Sequence, residues 1–208
     1  MAFTFFFRDR DCLELALKHL IPAVMGRSNV RIWDAGCAMG HEPYTLAILL
    51  AERMGGFAFR NVHIYATDYD APLLKVVEAG VYPHEEVQRI PEEYFEKYFE
   101  PVEGTGNGNG AGHYRVVERI RQVISTHHHD LQKFVPVRSH FSLVVCKNVL
   151  LHFSYAERVE VIRMFHEALE PGGILVTEHT QKMPSELSGH FTQIVADGQV
   201  FRKVEVAS

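Results

Sequence analysis

The fold is decided by the stretch Arg31-Ile-Trp-Asp-Ala-Gly-Cys-Ala-Met-Gly-His-Glu-Pro-Tyr-Thr45, which predicts a strand, a glycine turn and a helix in immediate succession. Val30 to Trp33 is apolar and β-prone, as expected of a strand buried between helical layers. Asp34-Ala-Gly36 interrupts that run, and apolar residues then recur at helical spacing from Tyr44 to Met54, ending at Gly55-Gly56. Such a turn presents backbone N–H groups and a helix N-terminus to a ligand, so it is a candidate nucleotide site.

An ordinary turn between a strand and a helix is the alternative interpretation. Gly36 and Gly40 do not complete the G-x-G-x-x-G fingerprint, and no Gly-Lys-Ser/Thr follows them. A second apolar run, Val62-His-Ile-Tyr-Ala-Thr-Asp68, favours the nucleotide site because it ends in an acid. An acid at the end of the second strand of a βαβ unit is placed to accept both ribose hydroxyls. The two units predict an adenosyl ligand, with its sugar on Asp68 and its tail over Gly36.

Composition limits the class of protein. The chain has 208 residues, of which 47% are hydrophobic and 23% charged, which predicts a single globular domain over 1–208. A formal net charge of -5 argues against a nucleic-acid partner. No long apolar run or signal-like N-terminus occurs, so we expect no membrane insertion and a cytoplasmic location. Three scattered cysteines favour buried thiols over a disulfide framework or a metal site.

The N-terminal part predicts two features. Ala2-Phe-Thr-Phe-Phe-Phe-Arg8 places four aromatic side chains near a terminus, so we expect it to be buried close to the site. Asp11 to Met25 is an amphipathic helix that is broken near Pro22.

The α/β rhythm is interrupted over residues 80–120, which we interpret as an inserted subdomain. Pro91 to Phe99 predicts a short helix, and Tyr114 to Val117 predicts a strand. The Gly-rich segment from Gly104 to Gly112 is predicted as a loop rather than a phosphate cradle, since no strand precedes it and no helix-opening Lys follows. Insertions of this kind often carry substrate or partner specificity.

Polar residues follow two later strands. Gln122 to His129 predicts a strand in which at most His127 and His129 share a face, so we favour ordinary histidines over a metal site. Phe141 to Cys146 is a buried strand, and Lys147-Asn148 follows it. The carboxyl end of such a strand faces the ligand crevice in open α/β sheets.

The C-terminal third predicts the rest of the sheet. Ser154-Tyr-Ala-Glu157 is a capping box that begins a helix running to Leu169, and Pro171-Gly-Gly173 ends it. Ile174 to Thr177 is a further buried strand. Two alternating runs flank Asp197-Gly198 and predict a hairpin. The sum is a mainly parallel sheet with an antiparallel C-terminal hairpin.

With these residues in hand, the chain resembles the S-adenosylmethionine-dependent methyltransferases, and within them the CheR-type chemotaxis receptor methyltransferases. The resemblance covers nearly the whole chain and implies a three-layer Rossmann-like α/β fold with a seven-stranded sheet. It rests on Thr4-Phe-Phe-Phe-Arg8, Gly40-His-Glu-Pro-Tyr44, Ala66-Thr-Asp68, Gly80-Val-Tyr-Pro83, Cys146-Lys-Asn-Val149, Leu169-Glu-Pro-Gly-Gly173 and Glu178-His179.

The resemblance implies S-adenosyl-L-methionine as cofactor and S-adenosyl-L-homocysteine as product. It assigns Asp68 to the ribose, Glu42 to a second polar contact, Asp130-Leu131 to the adenine and Lys147-Asn148 to the methionine part. The implied cofactor-binding set is Thr4, Arg8, Asp34, Gly36, Glu42, Asp68, Asp130, Leu131, Lys147 and Asn148. The alternatives, in which these residues have no part in cofactor binding, are a helix cap at Asp68 and a surface ion pair at Arg8.

The implied reaction is methyl transfer to a glutamate carboxylate of a receptor-like signalling protein, with Arg8 and His152 as candidate catalytic residues. Arg8 orients the carboxylate through its guanidinium fork. The family usually has Tyr at the position of His152, and a neutral imidazole there either acts as a base or simply packs. The family also usually has an N-terminal helical domain, whereas this chain begins at the aromatic arm.

Other functions stay open at this point. One is a diverged methyltransferase with a different acceptor, and another is a module that binds the cofactor without turnover. An NAD-dependent dehydrogenase would require a tighter glycine fingerprint and a catalytic domain. A nucleic-acid methyltransferase is disfavoured by the acidic balance and by the lack of an Asn/Asp-Pro-Pro-Tyr/Phe motif.

Overall fold

The structure, a computed structural model, describes residues 4–104, 112–180, 182–196 and 198–204. Its strands, numbered in chain order, are β1 Val30–Ala35, β2 Val62–Asp68, β3 Val81–Pro83, β4 Phe99–Pro101, β5 His113–Val116, β6 Ile124–His128, β7 Phe141–Cys146, β8 Leu169–Thr177, β9 Phe191–Gln193 and β10 Val200–Lys203. Its α-helices are α1 Arg10–Val24, α2 His41–Phe59, α3 Ala71–Ala79, α4 His84–Val87, α5 Glu92–Tyr98, α6 Glu118–Arg121 and α7 Tyr155–Ala168. Single 3-10 turns lie at Leu131–Lys133, Leu150–His152 and Ser185–Leu187.

Seven strands form the main sheet in the order β6-β2-β1-β7-β8-β10-β9. The first five of these strands run parallel, while β10 is antiparallel to both β8 and β9. The predicted seven-stranded, mostly parallel sheet with an antiparallel C-terminal pair is therefore confirmed. Asp197, which the hairpin prediction included, lies outside the described residues.

Alternation along the central strand separates two hydrophobic cores. Val30 and Ile32 of β1 point into a core that includes α1 and α2, whereas Trp33 and Ala35 point into a second core that includes α7. Successive side chains of a strand face opposite sides of the sheet, so a strand covered on both faces is apolar throughout. The sheet is thus the middle of three layers, as the predicted fold class requires.

One predicted boundary of the first unit is wrong. Strand β1 does not break at Asp34 but continues to Ala35, because Ala35 still pairs with Thr67 of β2. The helical conformation of α2 stops at Gly55, as predicted, where φ is +75° and ψ is +160°. Glycine tolerates this conformation, and a second helical segment then carries α2 to Phe59.

Other boundaries shift for local reasons. The break predicted near Pro22 is absent, because Pro22 lies within α1, which runs from Arg10 to Val24. The predicted capping box is present, with the Ser154 side chain accepting from the backbone N–H of Glu157. Strand β8 begins at Leu169 and includes Pro171, with an irregular register opposite the start of β7.

A second, three-stranded antiparallel sheet is formed by β3, β5 and β4 within residues 81–116. It contacts the main body through Tyr82, whose hydroxyl donates to the Met39 carbonyl at 2.6 Å. Most of the Gly-rich segment predicted as a loop, residues 105–111, lies outside the described residues. The described helices include none with the length and apolar character needed to span a bilayer.

Candidate active site

A cleft of about 720 Å³ opens at the carboxyl ends of β1, β2, β6 and β7, where open α/β sheets bind their ligands. Of the residues assigned by resemblance, these line the cleft: Thr4, Arg8, Gly36, Glu42, Asp68, Asp130, Leu131, Lys147, Asn148 and His152. Asp34 does not line the cleft. It is fully buried near the end of β1.

The glycine turn is held by backbone hydrogen bonds to the neighbouring strand. The N–H groups of Gly36 and Cys37 both donate to the Thr67 carbonyl, at 2.8 and 2.9 Å. Gly36 has φ +94°, and a Cβ added there would overlap Cγ2 of Val149. Glycine is required at position 36 because it adopts a positive φ without strain and leaves room for the Val149 side chain.

Asp68 fixes the turn and faces the cleft. Its Oδ2 accepts from the N–H of Ala38 at 2.8 Å, and its Oδ1 accepts from the N–H of Asp70 at 2.9 Å. Asp70, not Asp68, occupies the cap position of α3, so the helix-cap interpretation of Asp68 does not hold. A carboxylate oxygen can accept two hydrogen bonds, so each oxygen of Asp68 can accept one more, from a ribose hydroxyl.

Lys147 lies at the floor of the cleft between two carboxylates. Its ammonium is 3.0 Å from Oδ2 of Asp9 and 3.4 Å from Oε2 of Glu42, and the residue is 5% exposed. Burial alone would lower the pKa of Lys147, but the charges of Glu42 and Asp9 outweigh it and raise that pKa. Burial raises the pKa of the Glu42 carboxyl, against the opposing effect of Lys147. Lys147 is therefore charged, and its single positive charge lies between two carboxyl groups.

Asp34 adds a third acid beneath the cleft. Within the described ranges, no donor satisfies either carboxyl oxygen of Asp34. Burial, reinforced by the Glu42 carboxylate, holds the pKa of Asp34 well above its usual value. A cationic ligand above this floor would favour ionisation of both acids, and S-adenosylmethionine carries an ammonium and a sulfonium. The residues present thus fit the cofactor implied by the resemblance.

The N-terminal arm, residues 4–9, covers one side of the cleft. The N–H of Phe7 donates to Oγ1 of Thr45 in α2 at 2.9 Å. Nη2 of Arg8 donates to Oδ1 of Asn148 at 3.0 Å. The arm is thereby attached to the helix that follows the glycine turn and to the loop that follows β7. Nε of Arg8 also lies 3.9 Å from Oδ2 of Asp9.

His41 joins the arm to the three-stranded sheet, a role that the sequence did not predict. It is 0% exposed, and its Nε2 lies 2.8 Å from Oε2 of Glu86 in α4. The ring of Phe6 packs edge-on against His41 and Tyr82, with centroids 4.6 and 4.9 Å apart. Burial lowers the pKa of His41, although Glu86 opposes the shift.

We predict that this histidine makes the protein sensitive to acid. Because the folded pKa of His41 is lowered, its neutral form contributes fully above the unfolded pKa of about 6.5, and that stability is lost as the pH falls. His41→Gln should therefore show a shallower loss of unfolding free energy between about pH 7.5 and 5.5, by at most about 1.4 kcal/mol per pH unit. Denaturant titrations at several pH values measure this.

The matched control is His63→Gln, since His63 is exposed on β2. It should keep the wild-type pH slope. Half-buried His129 and His166, whose pKa values are also lowered by burial, leave a residual slope in every variant. Equal slopes for His41→Gln and the wild-type protein would contradict the prediction.

The segment after β6, which the resemblance assigns to the adenine, lines one side of the cleft. Oδ1 of Asp130 accepts from the N–H of Gln132 at 2.9 Å and begins the 3-10 turn that carries buried Leu131. His129 packs edge-on against Trp33 and lies 2.9 Å from the Val135 carbonyl oxygen. His127 stacks on Tyr65 instead, so the two histidines have separate partners.

The loop after β7 brings the last candidates together. Asn148 has φ +60°, and His152 lies exposed at the end of the following 3-10 turn, at the mouth of the cleft. Glu178 is buried at the end of β8, where burial raises its pKa while the backbone N–H groups of Asn148 and Leu151 oppose the rise. The rule that strand ends face the ligand pointed toward Glu178. Asp9 had no comparable signal.

Comparison with known proteins shows the family to which the chain belongs. A family model described as the CheR methyltransferase SAM-binding domain matches residues 2–200. A probable chemotaxis protein methyltransferase of Rhizobium etli is 27% identical over 196 residues, which are 92% of this chain and 72% of that protein. The chemotaxis protein methyltransferase of Escherichia coli is 29% identical over 194 residues, 91% of this chain and 63% of that protein.

The same enzyme of Listeria innocua is 30% identical over 172 residues, 82% of this chain and 61% of its own length. The chain therefore spans between 61% and 72% of the length of these three relatives. The family match covers the arm, both halves of the cleft and the three-stranded sheet. The chain belongs to the CheR methyltransferase family, and its cofactor is S-adenosylmethionine.

Proposed function

We propose that this chain transfers the methyl group of S-adenosylmethionine to the side-chain carboxylate of a glutamate in a protein, and that the acceptor is a chemoreceptor-like signalling protein. The names of the relatives support the acceptor class. We also propose a cytoplasmic location, in which free Cys12, Cys37 and Cys146 stay reduced.

The proposal rests above all on the Arg8 guanidinium at the mouth of the cleft. Asn148 fixes its position from one side at 3.0 Å, and its side chain is about one third exposed. A guanidinium presents a planar fork of donors that matches a carboxylate. We assign Arg8 to binding the acceptor carboxylate and orienting one of its oxygens toward the cofactor.

The cleft floor is assigned to the cofactor. Asp68 holds the ribose hydroxyls, and Asp130 with Leu131 borders the adenine. Glu42 and buried Asp34 provide negative charge for the methionine ammonium, while Lys147, Asn148 and Thr4 surround that end. The bound cofactor supplies an electrophilic methyl group on a sulfonium. The Gly36 turn allows this end of the cofactor to approach the backbone closely.

The chemistry asks little of the protein beyond alignment. A glutamate has a reference pKa of about 4.3, so its carboxylate is ionised at neutral pH and no base is needed. One carboxylate oxygen forms a bond to the methyl carbon as the carbon–sulfur bond breaks, and the electron pair stays on the thioether. Arg8 aligns the oxygen, and the arm excludes water from the reacting pair.

His152 lies on the acceptor side of this arrangement. Its imidazole is exposed at the cleft mouth, on the same loop as Asn148. Since a carboxylate acceptor has no proton to lose, we assign His152 to contact with the acceptor side chain rather than to base catalysis. His152→Tyr, which restores the residue usual in the family, should retain transfer.

The proposal is tested with methyl-labelled S-adenosylmethionine and membranes that contain chemoreceptors. We expect label on a protein, released as methanol by mild base, as a methyl ester requires. Asp68→Ala serves as the control that removes cofactor binding. Base-stable label would assign a different acceptor, and binding of the cofactor without any labelled product would overturn the assignment as a transferase.

A further inference from the structure

Asp9 occupies the N-cap position of α1, but its carboxylate pairs with a lysine instead of capping the helix. Asp9 immediately precedes α1, where an aspartate ordinarily accepts a hydrogen bond from a backbone N–H in the first turn of the helix. In the part of the chain that the structure describes, its side chain makes no such capping bond. Its Oδ2 lies instead 3.0 Å from Nζ of Lys147.

The backbone at Asp9 is shaped for this contact. Asp9 has φ +50° and Phe7 has φ +60°, both in the left-handed region that few non-glycine residues adopt. Aspartate and asparagine tolerate this region better than most side chains. The arm therefore carries a local conformational cost at two positions, and the direction of the Asp9 side chain is set by it.

The partner of Asp9 is a buried cation of the site itself. Lys147 is almost fully buried, whereas the Asp9 side chain is about half exposed. Lys147 also lies 3.4 Å from Glu42, so its ammonium connects the arm to the first turn of α2. Arg8, the neighbour of Asp9, lies 3.0 Å from Asn148, the neighbour of Lys147. Two adjacent arm residues are thus paired with two adjacent residues after β7.

We propose that Asp9 is a positioning residue: its ion pair with Lys147 holds the N-terminal arm closed over the cleft and thereby fixes Arg8 beside the reacting atoms. The part of this inference that concerns Arg8 rests on the function proposed above, while the closure of the arm does not. Loss of the Asp9 carboxylate releases the arm from the cleft floor and leaves Lys147 to Glu42 alone.

The chain offers variants that separate charge from backbone strain. Asp9→Asn keeps the shape and tolerates positive φ but removes the charge. Asp9→Gly keeps the backbone conformation and removes the side chain. Asp9→Glu keeps the charge on a longer stem. Asp11→Asn is the matched control, because Asp11 is an exposed acid in the first turn of α1.

The first measurement is limited trypsin digestion of the full chain without cofactor, following release of the N-terminal peptides that end at Arg8 and Arg10. Each rate is divided by the rate for a synthetic peptide with the same sequence over residues 4–14, because residues 9 and 11 adjoin the two cleaved bonds. Removing one member of an ion pair whose other member is buried is costly, so we expect Asp9→Asn and Asp9→Gly to be cleaved, after this correction, about tenfold faster than the wild-type protein. Asp9→Glu should be cleaved at a rate between those of Asp9→Asn and the wild-type protein, and Asp11→Asn should be cleaved at the wild-type rate. Rising salt should accelerate cleavage of the wild-type protein but not of Asp9→Asn, since salt screens a half-exposed ion pair.

The second measurement is the kinetics of methyl transfer. Asp9→Asn should lower kcat about tenfold, since a displaced Arg8 no longer aligns the acceptor. Its affinity for the cofactor, measured by calorimetry, should fall much less than kcat, because the substitution changes the charge beside Lys147 and Glu42 but leaves the Asp68 end of the cleft untouched. This separation of kcat from cofactor binding is not expected of a merely structural residue.

The inference would be overturned if Asp9→Asn had the cleavage rate, the salt dependence and the melting temperature of the wild-type protein. So would an Asp9→Asn variant whose loss of transfer follows its loss of cofactor binding in proportion. Failure of the proposed function is seen separately, as absence of transfer by the wild-type protein while the difference in cleavage persists.

Discussion

Replacing Asp68 with alanine is expected to weaken binding of S-adenosylmethionine by about 100-fold or more. The substitution removes the acceptors for both ribose hydroxyls, and a hydrogen bond to a charged group contributes about 1.5 to 3 kcal/mol. It also releases the N–H groups of Ala38 and Asp70, which Asp68 holds at 2.8 and 2.9 Å. The turn after β1 therefore loses its link to the end of β2. Isothermal titration calorimetry with the cofactor measures the effect.

Two variants separate the contributions. Asp68→Asn keeps one carbonyl oxygen as an acceptor and should lose less affinity than Asp68→Ala. Asp70→Ala is the matched control, because Asp70 is exposed at the start of α3 and its side chain makes no capping bond to that helix. An affinity for Asp68→Ala within about threefold of wild type would contradict the assignment of the ribose site.

The sequence predicted two strands of the sheet with the bounds that the structure shows. Val62–Asp68 ends at a polar residue, and Phe141–Cys146, which is buried throughout, is followed by the polar Lys147. The boundaries that failed depend on neighbours. Ala35 belongs to β1 because it pairs with Thr67, and no property of residues 34–36 alone contains that pairing.

Gly55 shows the limit of local rules for helices. A pair of glycines is an ordinary stop signal. Here Gly55 adopts φ +75° and ψ +160°, and the chain returns to helix until Phe59, which is buried in the first core. Burial of that ring is a tertiary interaction, so a local stop rule cannot include it.

The candidate site was predicted from strand ends and from the resemblance. The residues predicted in this way line one cleft, apart from Asp34, which is buried beneath it. The pairings inside it were not accessible in this way. Lys147 lies 138 positions from Asp9 along the chain, and Glu86 lies 45 positions from His41. Periodicity describes neighbours within a helix or strand, whereas an ion pair between distant loops follows from the assembled fold. The same holds for the raised pKa values of Asp34 and Glu42, whose main cause is burial.

Replacing Arg8 with alanine is expected to lower kcat for methyl transfer by about 100-fold while weakening cofactor binding by much less, about fivefold. The guanidinium lines the cleft beside Asn148, and Asp68 lines another part of it. The proposal assigns Arg8 to the acceptor carboxylate and Asp68 to the ribose, so the loss of Arg8 should affect transfer more than cofactor binding. Arg8→Lys keeps the charge but not the planar fork, so it should recover only part of the rate. Initial rates at saturating cofactor, together with calorimetry, measure both quantities.

Arg10 provides the matched control for this variant, because it is not among the residues that line the cleft and its guanidinium pairs with Glu14 at 2.7 Å and with the Tyr94 hydroxyl at 3.1 Å. Arg10→Ala removes an equal charge from the same region and should leave kcat within about threefold of wild type, since exposed ion pairs contribute at most about 1 kcal/mol. If Arg8→Ala and Arg10→Ala lowered kcat equally, the effect would come from the general charge of the arm. Alignment of the acceptor by the Arg8 guanidinium requires that the two variants differ by more than about tenfold.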